Sequence, residues 1–430
     1  MIHLRHTVLF ALPILVVAGP YLPIVSLGGF NLFASRAIVL ICTVAPFVVR
    51  GGTRRPRGPV STLLAVSTLW VIWGLMSIFW VAGPSGLDGV IRGVAVVTLG
   101  GLTSVALWHL KADSDRGLGY LLAGWTAATI GAAAIGFWEL ATGNHLPGYW
   151  VTTQPERVLR LIVIATFGNA NNYGAFLVLT TPILLFHLGT RGGGRRLATI
   201  LLPISFLMAV LTTSRLAVIA VSIVLLAHLF MSHTGRFRTI MLITAVALLG
   251  SATLRSVSID IPLLLEAARV VQTGVSLEGS NLIRLNLSLA GIDMLAESNG
   301  VGVGPGGYAE LMSGGYSGFE TAGFTQPHNW WIEILAEFGV VVFLGFTCTL
   351  MAWLARGARA LRHEDQRGRL GLLLVTGIVA YGMAGLASSS YLADSTNWLF
   401  VGTLAMIGTN LQASRGVYES RRAVSSVAHE

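Results

Sequence analysis

Residues 328–354 read HNWWIEILAEFGVVVFLGFTCTLMAWL, and this stretch decides the fold. A histidine and two glutamates near its start give way to a run that is almost wholly apolar. The hydrocarbon core of a bilayer requires roughly 20 apolar residues per helix. The stretch therefore predicts a membrane-spanning helix with a titratable imidazole, His328, at its first position.

The same pattern recurs along the whole chain. Of its 430 residues, 54% are hydrophobic and only 11% are charged, whereas soluble domains carry about 25% charged residues. We predict an all-α, polytopic fold, with one membrane domain over 1–430 and about twelve transmembrane helices. The predicted spans lie near 7–27, 34–49, 60–82, 89–110, 117–141, 166–189, 197–213, 214–231, 239–254, 328–354, 371–390 and 396–412.

The basic residues indicate the orientation of these spans. With the N-terminus inside, 20 of the 28 Lys and Arg residues fall in the inside segments, as the positive-inside rule requires. We therefore predict a multi-pass protein of the bacterial plasma membrane with both termini cytoplasmic. The net charge of +9 is explained by this topology, so the predicted partner is the lipid bilayer and not nucleic acid.

One outside loop, 255–327, is much larger than the others and lies between spans 9 and 10. Its sequence predicts an interfacial helix over 261–271 and a second, amphipathic helix near 281–297. A glycine-rich turn follows at 300–307. The stretch 313–323 consists mainly of small residues, and we expect it to form a lid over the acceptor side of the site.

Three basic residues stand at the predicted outer face: Arg215, Arg284 and His328. Guanidinium groups bind phosphate oxygens through two parallel hydrogen bonds, so a pair of arginines suits a diphosphate. Histidine titrates near neutral pH and can take a proton from a hydroxyl. The three residues together predict transfer from a lipid diphosphate to an acceptor alcohol outside the membrane.

Two glycines and an asparagine are further candidates for substrate binding. The backbone amides of Gly302 and Gly304 are expected to bind phosphate oxygens. The glycine spacing matches a dinucleotide fingerprint, but an outside position with no preceding strand argues against that function. Asn329 either orients the acceptor or caps the helix that follows it.

Polar residues elsewhere in the chain extend the predicted binding site. Asn169, Asn171 and Asn172 fall inside the sixth predicted span, where polar side chains usually line a cavity. Arg157 and Arg160 lie in the smaller outside loop, 142–162, and are also predicted to bind substrate. No cluster of Cys and His has the spacing of metal ligands, so we expect neither a metal nor another cofactor.

Two motifs around the basic residues carry a resemblance to a known family. His328-Asn329, nine residues and Gly339 match a family signature, which departs from the pattern only at its last position, Val342. Arg284 is followed after fifteen residues by Gly300, a second signature. Together with Gly168-Asn169-Ala170-Asn171 and Ser214-Arg215, these motifs make the chain similar to the O-antigen ligase and polymerase superfamily.

The resemblance implies a metal-independent glycosyltransferase with a helical membrane fold. Its donor would be a glycan on a polyprenyl diphosphate, and its acceptor a glycan, a lipid or a protein. Arg215 and Arg284 would hold the diphosphate, and His328 would activate the acceptor hydroxyl at the outer face.

Other functions remain open from the sequence. A polymerase, which extends one lipid-linked glycan with another, would use the same residues; the single copy of the arginine–glycine motif favours a ligase. A transporter usually shows corresponding broken helices in two halves, and no internal repeat is visible here. A metal-dependent transferase would need acidic ligands in the outside loops, and the first of these loops has none.

Overall fold

A computed structural model describes residues 2–27, 30–50, 56–81, 83–111, 115–147, 162–232, 277–316, 318–386, 388 and 394–427. These residues form an all-α bundle with one short β-hairpin. The helices are α1 (Ile2–Val17), α2 (Ala34–Arg50), α3 (Pro59–Met76), α4 (Gly83–Lys111), α5 (Asp115–Thr142), α6 (Ala170–Leu188), α7 (Gly193–Leu211), α8 (Arg215–Met231), α9 (Leu277–Glu297), α10 (Gly307–Ser313), α11 (Trp330–Ala360), α12 (Gln366–Ala384) and α13 (Ser395–Val427).

The described helices make this a multi-pass membrane protein. Five are long and apolar enough to cross a bilayer, within α3, α4, α5, α7 and α11, and three shorter apolar helices lie in α1, α2 and α8. Eleven of the twelve predicted spans overlap a helix. The ninth, near 239–254, and the proposed interfacial helix over 261–271 lie outside the described residues. The count of twelve and the extent of the large loop therefore remain predictions.

The predicted topology can be tested by cysteine accessibility. In a background with Cys42 and Cys348 replaced, Ser313→Cys should react with a membrane-impermeant thiol reagent from outside. Ser425→Cys should react only after the membrane is permeabilised, because the two positions are predicted to lie on opposite sides. Labelling of both positions from the same side would contradict the topology.

The first predicted span, 7–27, is wrong at its C-terminal end. Helix α1 ends at Val17, and a 3₁₀ turn, Gly19–Tyr21, follows it. Proline at position 20 has no amide hydrogen and disfavours helix in the residue before it, which explains the end of the helix. The chain then forms strand β1 (Pro23–Leu27), which pairs antiparallel with β2 (Phe30–Phe33).

Large aromatic side chains hold the centre of the bundle together. Trp70 of α3 is 1% exposed. Its ring makes an edge contact with Phe338 of α11, with ring centroids 5.3 Å apart, and lies 5.3 Å from Trp398 of α13. Each such aromatic pair contributes about 0.5–1.5 kcal/mol beyond the area that it buries. The cluster ties α11 to α3 and α13 near the middle of the chain's apolar core.

Several buried threonine hydroxyls inside the helices bond back to the preceding turn. Thr129, Thr181 and Thr376 each donate to the carbonyl four residues earlier, at 2.9, 2.8 and 2.7 Å. Bonding back to the preceding turn allows a hydroxyl to be buried where no solvent is present. The pattern is the one that a helix needs in order to carry threonine through a bilayer.

Helix α11 is broken at Gly339, which has φ 72° and ψ −178°. The break separates a short helix, residues 330–338, from a longer one, residues 340–360. The sequence predicted that His328 opens a continuous span. In the structure His328 lies two residues before the short helix, so that helix separates it from the longer apolar segment.

Candidate active site

Several of the predicted site residues lie at one end of the bundle, where α6, α8 and α11 begin and α12 ends. We call this the site end. Ser388, just beyond α12, donates to the side-chain oxygen of Asn172 at 3.1 Å. The amide of Trp330 donates to the carbonyl of Gly385 at 2.8 Å. A Cβ placed on Gly174 of α6 would lie 2.7 Å from that of Ala217 in α8, so these helix ends are in direct contact.

Helix α9 runs alongside the first part of α11 in the same direction. A Cβ on Gly291 would lie 2.5 Å from Ile332, and the amide of Val340 donates to the carbonyl of Gly300 at 3.0 Å. The distance along α9 from Arg284 to the end of the helix is about 20 Å at 1.5 Å per residue. The distance along the chain from His328 to the break at Gly339 is similar. Contact at the glycine end therefore brings Arg284 and His328 together at the other end.

His328 occupies a strained position and a mostly buried one. Its φ of 50° lies in the left-handed region, which costs a non-glycine residue about 1–3 kcal/mol and is found mainly at functional sites. Its Nδ1 is buried and has no hydrogen-bond partner among the described residues. The ring of Phe324 packs edge-on against the imidazole of His328, with ring centroids 5.6 Å apart. This imidazole nitrogen is therefore unsatisfied among the described residues.

Electrostatics keep His328 neutral. Burial, and then the charge of Arg284, lower the pKa of His328 to about 4. Burial also lowers the pKa of Arg284, although a guanidinium stays charged at neutral pH. No carboxylate of the described residues forms an ion pair with Arg284. A half-buried cation with no acidic partner in the described part of the chain, near a neutral imidazole, is suited to an anion together with a hydroxyl.

The electrostatic contact predicts a titration that can be measured. In labelled protein, the imidazole signal that disappears in His328→Ala should titrate near pH 4, well below the ordinary value of about 6.5. Arg284→Gln should raise that midpoint because it removes a positive charge, whereas Arg92→Gln should not. Since protonation is disfavoured in the folded state, this histidine's contribution to stability is full above pH 6.5 and declines toward pH 4. A titration midpoint near pH 6.5 that does not change in Arg284→Gln would contradict the arrangement.

The glycine-rich turn does not present Gly302 and Gly304 to a phosphate as predicted. The amide of Gly302 donates to the hydroxyl of Ser298 at 3.1 Å, and that of Gly304 donates to the carbonyl of Glu337 at 3.0 Å. Both glycines are buried. Their amides are already occupied, so the turn instead supplies hydrogen bonds to the break in α11. Tertiary packing determines which acceptors the two amides bind, and the local sequence does not indicate them.

Two asparagines prove to be helix caps. The side-chain oxygen of Asn329 accepts from the amides of Trp331 and Ile332 at the start of α11, at 3.0 and 3.4 Å. Asn169 accepts from the amide of Asn171 at 2.7 Å and caps α6. Asn169 therefore precedes the helix instead of lying within a span, because asparagine stabilises a helix best just before its first turn.

The structure brings some of the other predicted residues to the site end. Arg215 is the first residue of α8 and is exposed. Asn171 and Asn172 lie in the first turn of α6, beside the junction that precedes Arg215. Arg157 and Arg160 lie outside the described residues. The charge of Arg284 acts on the imidazole of His328, and Arg215 reaches the same end of the bundle at the start of α8.

Comparison with known proteins agrees with this arrangement. A sequence model described as O-Antigen ligase matches residues 197–347, from α7 to α11, which include Arg215, Arg284 and His328. The teichuronic acid biosynthesis protein TuaE of Bacillus subtilis (strain 168) is 22% identical over 407 residues, covering 92% of this chain and 82% of that protein. The match and this relative support the predicted resemblance to the O-antigen ligase and polymerase superfamily. A role as a ligase or polymerase of polysaccharide biosynthesis is supported.

The structure explains the spacing of two superfamily motifs. Gly300 ends the arginine motif and Gly339 ends the histidine motif. A Cβ on Gly339 would collide with the carbonyl oxygen of Gly300 and would lie 2.6 Å from the carbonyl carbon of Val301. Close packing thus requires glycine at 339, and the φ of 81° favours glycine at 300. The spacings place the arginine and the histidine at the opposite end of the contact.

Two features of the site were missed in the sequence. Glu337, 4% exposed, lies close to the backbone amides of Gly306 and Tyr308 in the glycine-rich turn. The aromatic contact of Phe324 with His328 was also missed. An acidic residue within an apolar run was a usable signal for Glu337, because such residues are costly in a membrane and usually have a role.

The segment proposed as a lid packs against α9. Tyr316 and Phe319 lie on the buried cluster formed by α9, α10 and α11. The side-chain amide of Asn286 donates to the carbonyl of Glu320 at 2.8 Å. Burial and the carboxylates of Glu297 and Asp293 raise the pKa of Tyr316 to about 12. The segment therefore links the helix of Arg284 to the loop before His328, and its function as a lid stays a prediction.

The predicted amphipathic character of α9 is wrong. Leu287, Ala290 and Met294 are fully buried on one side, as expected. Leu282 and Leu285 are nevertheless more than half exposed, so the helix is apolar on two faces. Exposed leucines flanking Arg284 in sequence would suit an amphiphile with an apolar chain.

Proposed function

We propose that this protein is a glycosyltransferase that moves a glycan from a polyprenyl diphosphate to an acceptor hydroxyl. The reaction takes place at the outer face of the plasma membrane and uses neither a metal nor a cofactor. The observation that carries this proposal is the electrostatic effect of half-buried Arg284 on the imidazole of His328, at the end of the bundle that also holds Arg215. Ligases and polymerases of the superfamily provide the chemical context.

The reaction assigns a defined task to each residue. His328 takes the proton of the acceptor hydroxyl as the acceptor oxygen bonds to the anomeric carbon. The bond between that carbon and the phosphate oxygen breaks, and polyprenyl diphosphate leaves. Arg284 and Arg215 stabilise the negative charge on the leaving diphosphate through paired hydrogen bonds. The proton ends on the imidazole, and the electron pair of the broken bond ends on the diphosphate.

The low proton affinity of His328 gives the donor a second role. A base with a pKa near 4 is weak, and part of that weakness comes from the charge of Arg284. A bound diphosphate neutralises that charge, so the imidazole becomes a better base only when the donor is in place. Donor binding would then precede activation of the acceptor.

Lysine substitution tests the assignment of the two arginines. Arg284→Lys and Arg215→Lys keep the positive charge but lose the planar fork, so donor affinity and transfer rate should each fall about tenfold or more. Arg92→Lys is the control, because Arg92 is exposed and already paired with Asp88. Normal donor binding and turnover in both site variants would contradict the assignment of the two arginines to the diphosphate.

The choice between ligase and polymerase depends on the acceptor. Both reactions break the same bond in the donor and use the same residues. The single arginine–glycine motif favours a ligase, and the likeness to a teichuronic acid biosynthesis protein is compatible with either. Product analysis separates them: a polymerase lengthens a lipid-linked glycan, whereas a ligase yields a glycan on another acceptor.

A further inference from the structure

One buried carboxylate joins three segments of the chain near the site end. Glu139 lies in the last turn of α5 and is 1% exposed. Its Oε2 accepts from the amides of Ile164 and Ala165 at 2.8 and 2.9 Å. Its Oε1 lies 3.0 Å from Nδ1 of His145, whose side chain is 5% exposed. The carboxylate therefore connects the end of α5, the smaller outside loop and the segment that precedes α6.

The segment before α6 depends on this carboxylate. Residues 162–165 are all buried and lie outside any helix or strand, so their amides need partners from elsewhere in the fold. Ala165 also has a φ of 51°, which costs a non-glycine residue about 1–3 kcal/mol. A hydrogen bond to a charged group contributes about 1.5–3 kcal/mol. The two bonds that Glu139 accepts therefore offset this cost and fix the path of the segment.

The same segment holds the end of α7, shortly before Arg215. The amide of Val163 donates to the carbonyl of Leu211, the last residue of α7, at 3.2 Å. A carbonyl at this position has no partner within its own helix. Three residues separate it from Arg215, and one of them, Thr213, has a φ of 57°. The bond from Val163 thus helps to fix the direction in which the chain enters α8.

Close packing gives a second connection to the same junction. A Cβ on Gly174 of α6 would lie 3.4 Å from the Cβ of Ser214, the residue before Arg215. A Cβ on Gly136 of α5 would lie 2.9 Å from the sulfur of Met208 in α7 and 3.8 Å from the Cβ of Val163. Because α5, α6 and α7 meet this tightly around the segment, a shift of its backbone must also move the junction.

Glu139 itself is unsuited to touch a substrate. Its side chain is enclosed, and both of its carboxylate oxygens are engaged by groups of the protein. A general acid or base must lie within hydrogen-bond reach of the reacting group. A buried carboxylate is also costly unless its oxygens are bonded. The arrangement therefore suits a residue that acts through others.

We propose that Glu139 is a positioning residue for Arg215. Its carboxylate orders residues 163–165, these residues hold the end of α7, and the end of α7 places Arg215 against the donor diphosphate. The inference rests on the role of Arg215 in the function proposed above. Displacement of a binding group by about 1 Å is enough to lower a rate about 10²-fold.

Hydrogen exchange tests the structural half of the proposal without any substrate. In Glu139→Leu, amide exchange over residues 211–216 should rise, because the segment that holds this junction loses two hydrogen bonds. Glu364→Leu is the matched control, since Glu364 is exposed and lies beyond the far end of α11. Unchanged exchange over residues 211–216 in Glu139→Leu would overturn the proposal.

A double-mutant cycle on the binding of polyprenyl diphosphate tests the functional half. Glu139→Leu should weaken binding about tenfold or more in otherwise wild-type protein. In Arg215→Lys the same change should weaken it only about twofold, because the fork that Glu139 positions is already gone. In Arg284→Lys the loss should stay near about tenfold. Equal losses in Arg215→Lys and in wild-type protein would indicate a general structural effect and overturn the proposal.

A conservative variant keeps the cycle decisive if Glu139→Leu fails to fold. Glu139→Gln retains an oxygen for the two amides and loses only the charge, so binding should fall less than in Glu139→Leu. Its loss must again be smaller in Arg215→Lys than in wild-type protein. Normal binding by Arg215→Lys alone would contradict the proposed function, whereas unchanged hydrogen exchange would contradict the positioning role alone, so the two failures are distinguishable.

Discussion

His328→Ala is expected to abolish glycan transfer while leaving the protein folded and able to bind its donor. A general base typically contributes about 10²–10⁴ in rate, and the diphosphate alone cannot activate the acceptor hydroxyl. The loss should therefore appear in transfer assays with saturating donor, while donor binding measured separately remains near the wild-type value.

Two further variants separate the base from its backbone conformation. His328 has a positive φ, which asparagine adopts more readily than alanine. His328→Asn should thus preserve the loop and still lose transfer. His363→Ala is the matched control, because His363 is exposed and follows the far end of α11. Full transfer activity in either His328 variant would show that His328 is not the general base and has a structural role only.

Gly339→Ala is expected to have the second largest effect. The backbone conformation of Gly339 is accessible almost only to glycine and costs other residues about 1–3 kcal/mol. The added methyl group would also collide with the backbone at Gly300 and Val301. Either the glycine-rich turn or the break in α11 must shift. A displacement of about 1 Å between Arg284 and His328 would lower transfer about 10²-fold.

A nearby glycine provides the control for this prediction. Gly345 lies on the same helix, and a Cβ there would meet only Leu69 at an ordinary 3.5 Å. Gly345→Ala should leave transfer unchanged and should not lower the thermal unfolding midpoint. Equal behaviour of the two alanine variants would show that the break at Gly339 does not position the site.

The sequence predicted the membrane class because that property is local. Hydropathy marks a span wherever it lies, since each transmembrane helix satisfies its own backbone. The spacing of the Arg284 and His328 motifs indicated the superfamily. The end of α1 was missed even though proline at position 20 provided a local signal.

The rest of the site depends on contacts between distant segments. The amides of Gly302 and Gly304 were predicted to bind phosphate, but their acceptors come from Ser298 and from α11. Nothing in the run around Gly339 distinguishes a helix break from an ordinary glycine. The break is defined by the carbonyl of Gly300, which accepts the amide of Val340, and local sequence does not encode that pairing.

The most direct test of the account follows the fate of the donor in proteoliposomes. Purified protein would be reconstituted with a polyprenyl-diphosphate glycan labelled in both the glycan and the lipid, together with candidate acceptors. The account predicts that the glycan label moves to an acceptor while the lipid label is released as polyprenyl diphosphate, and that His328→Asn prevents both. A donor that crosses the bilayer intact, with both labels still joined, would contradict the account and identify a transporter.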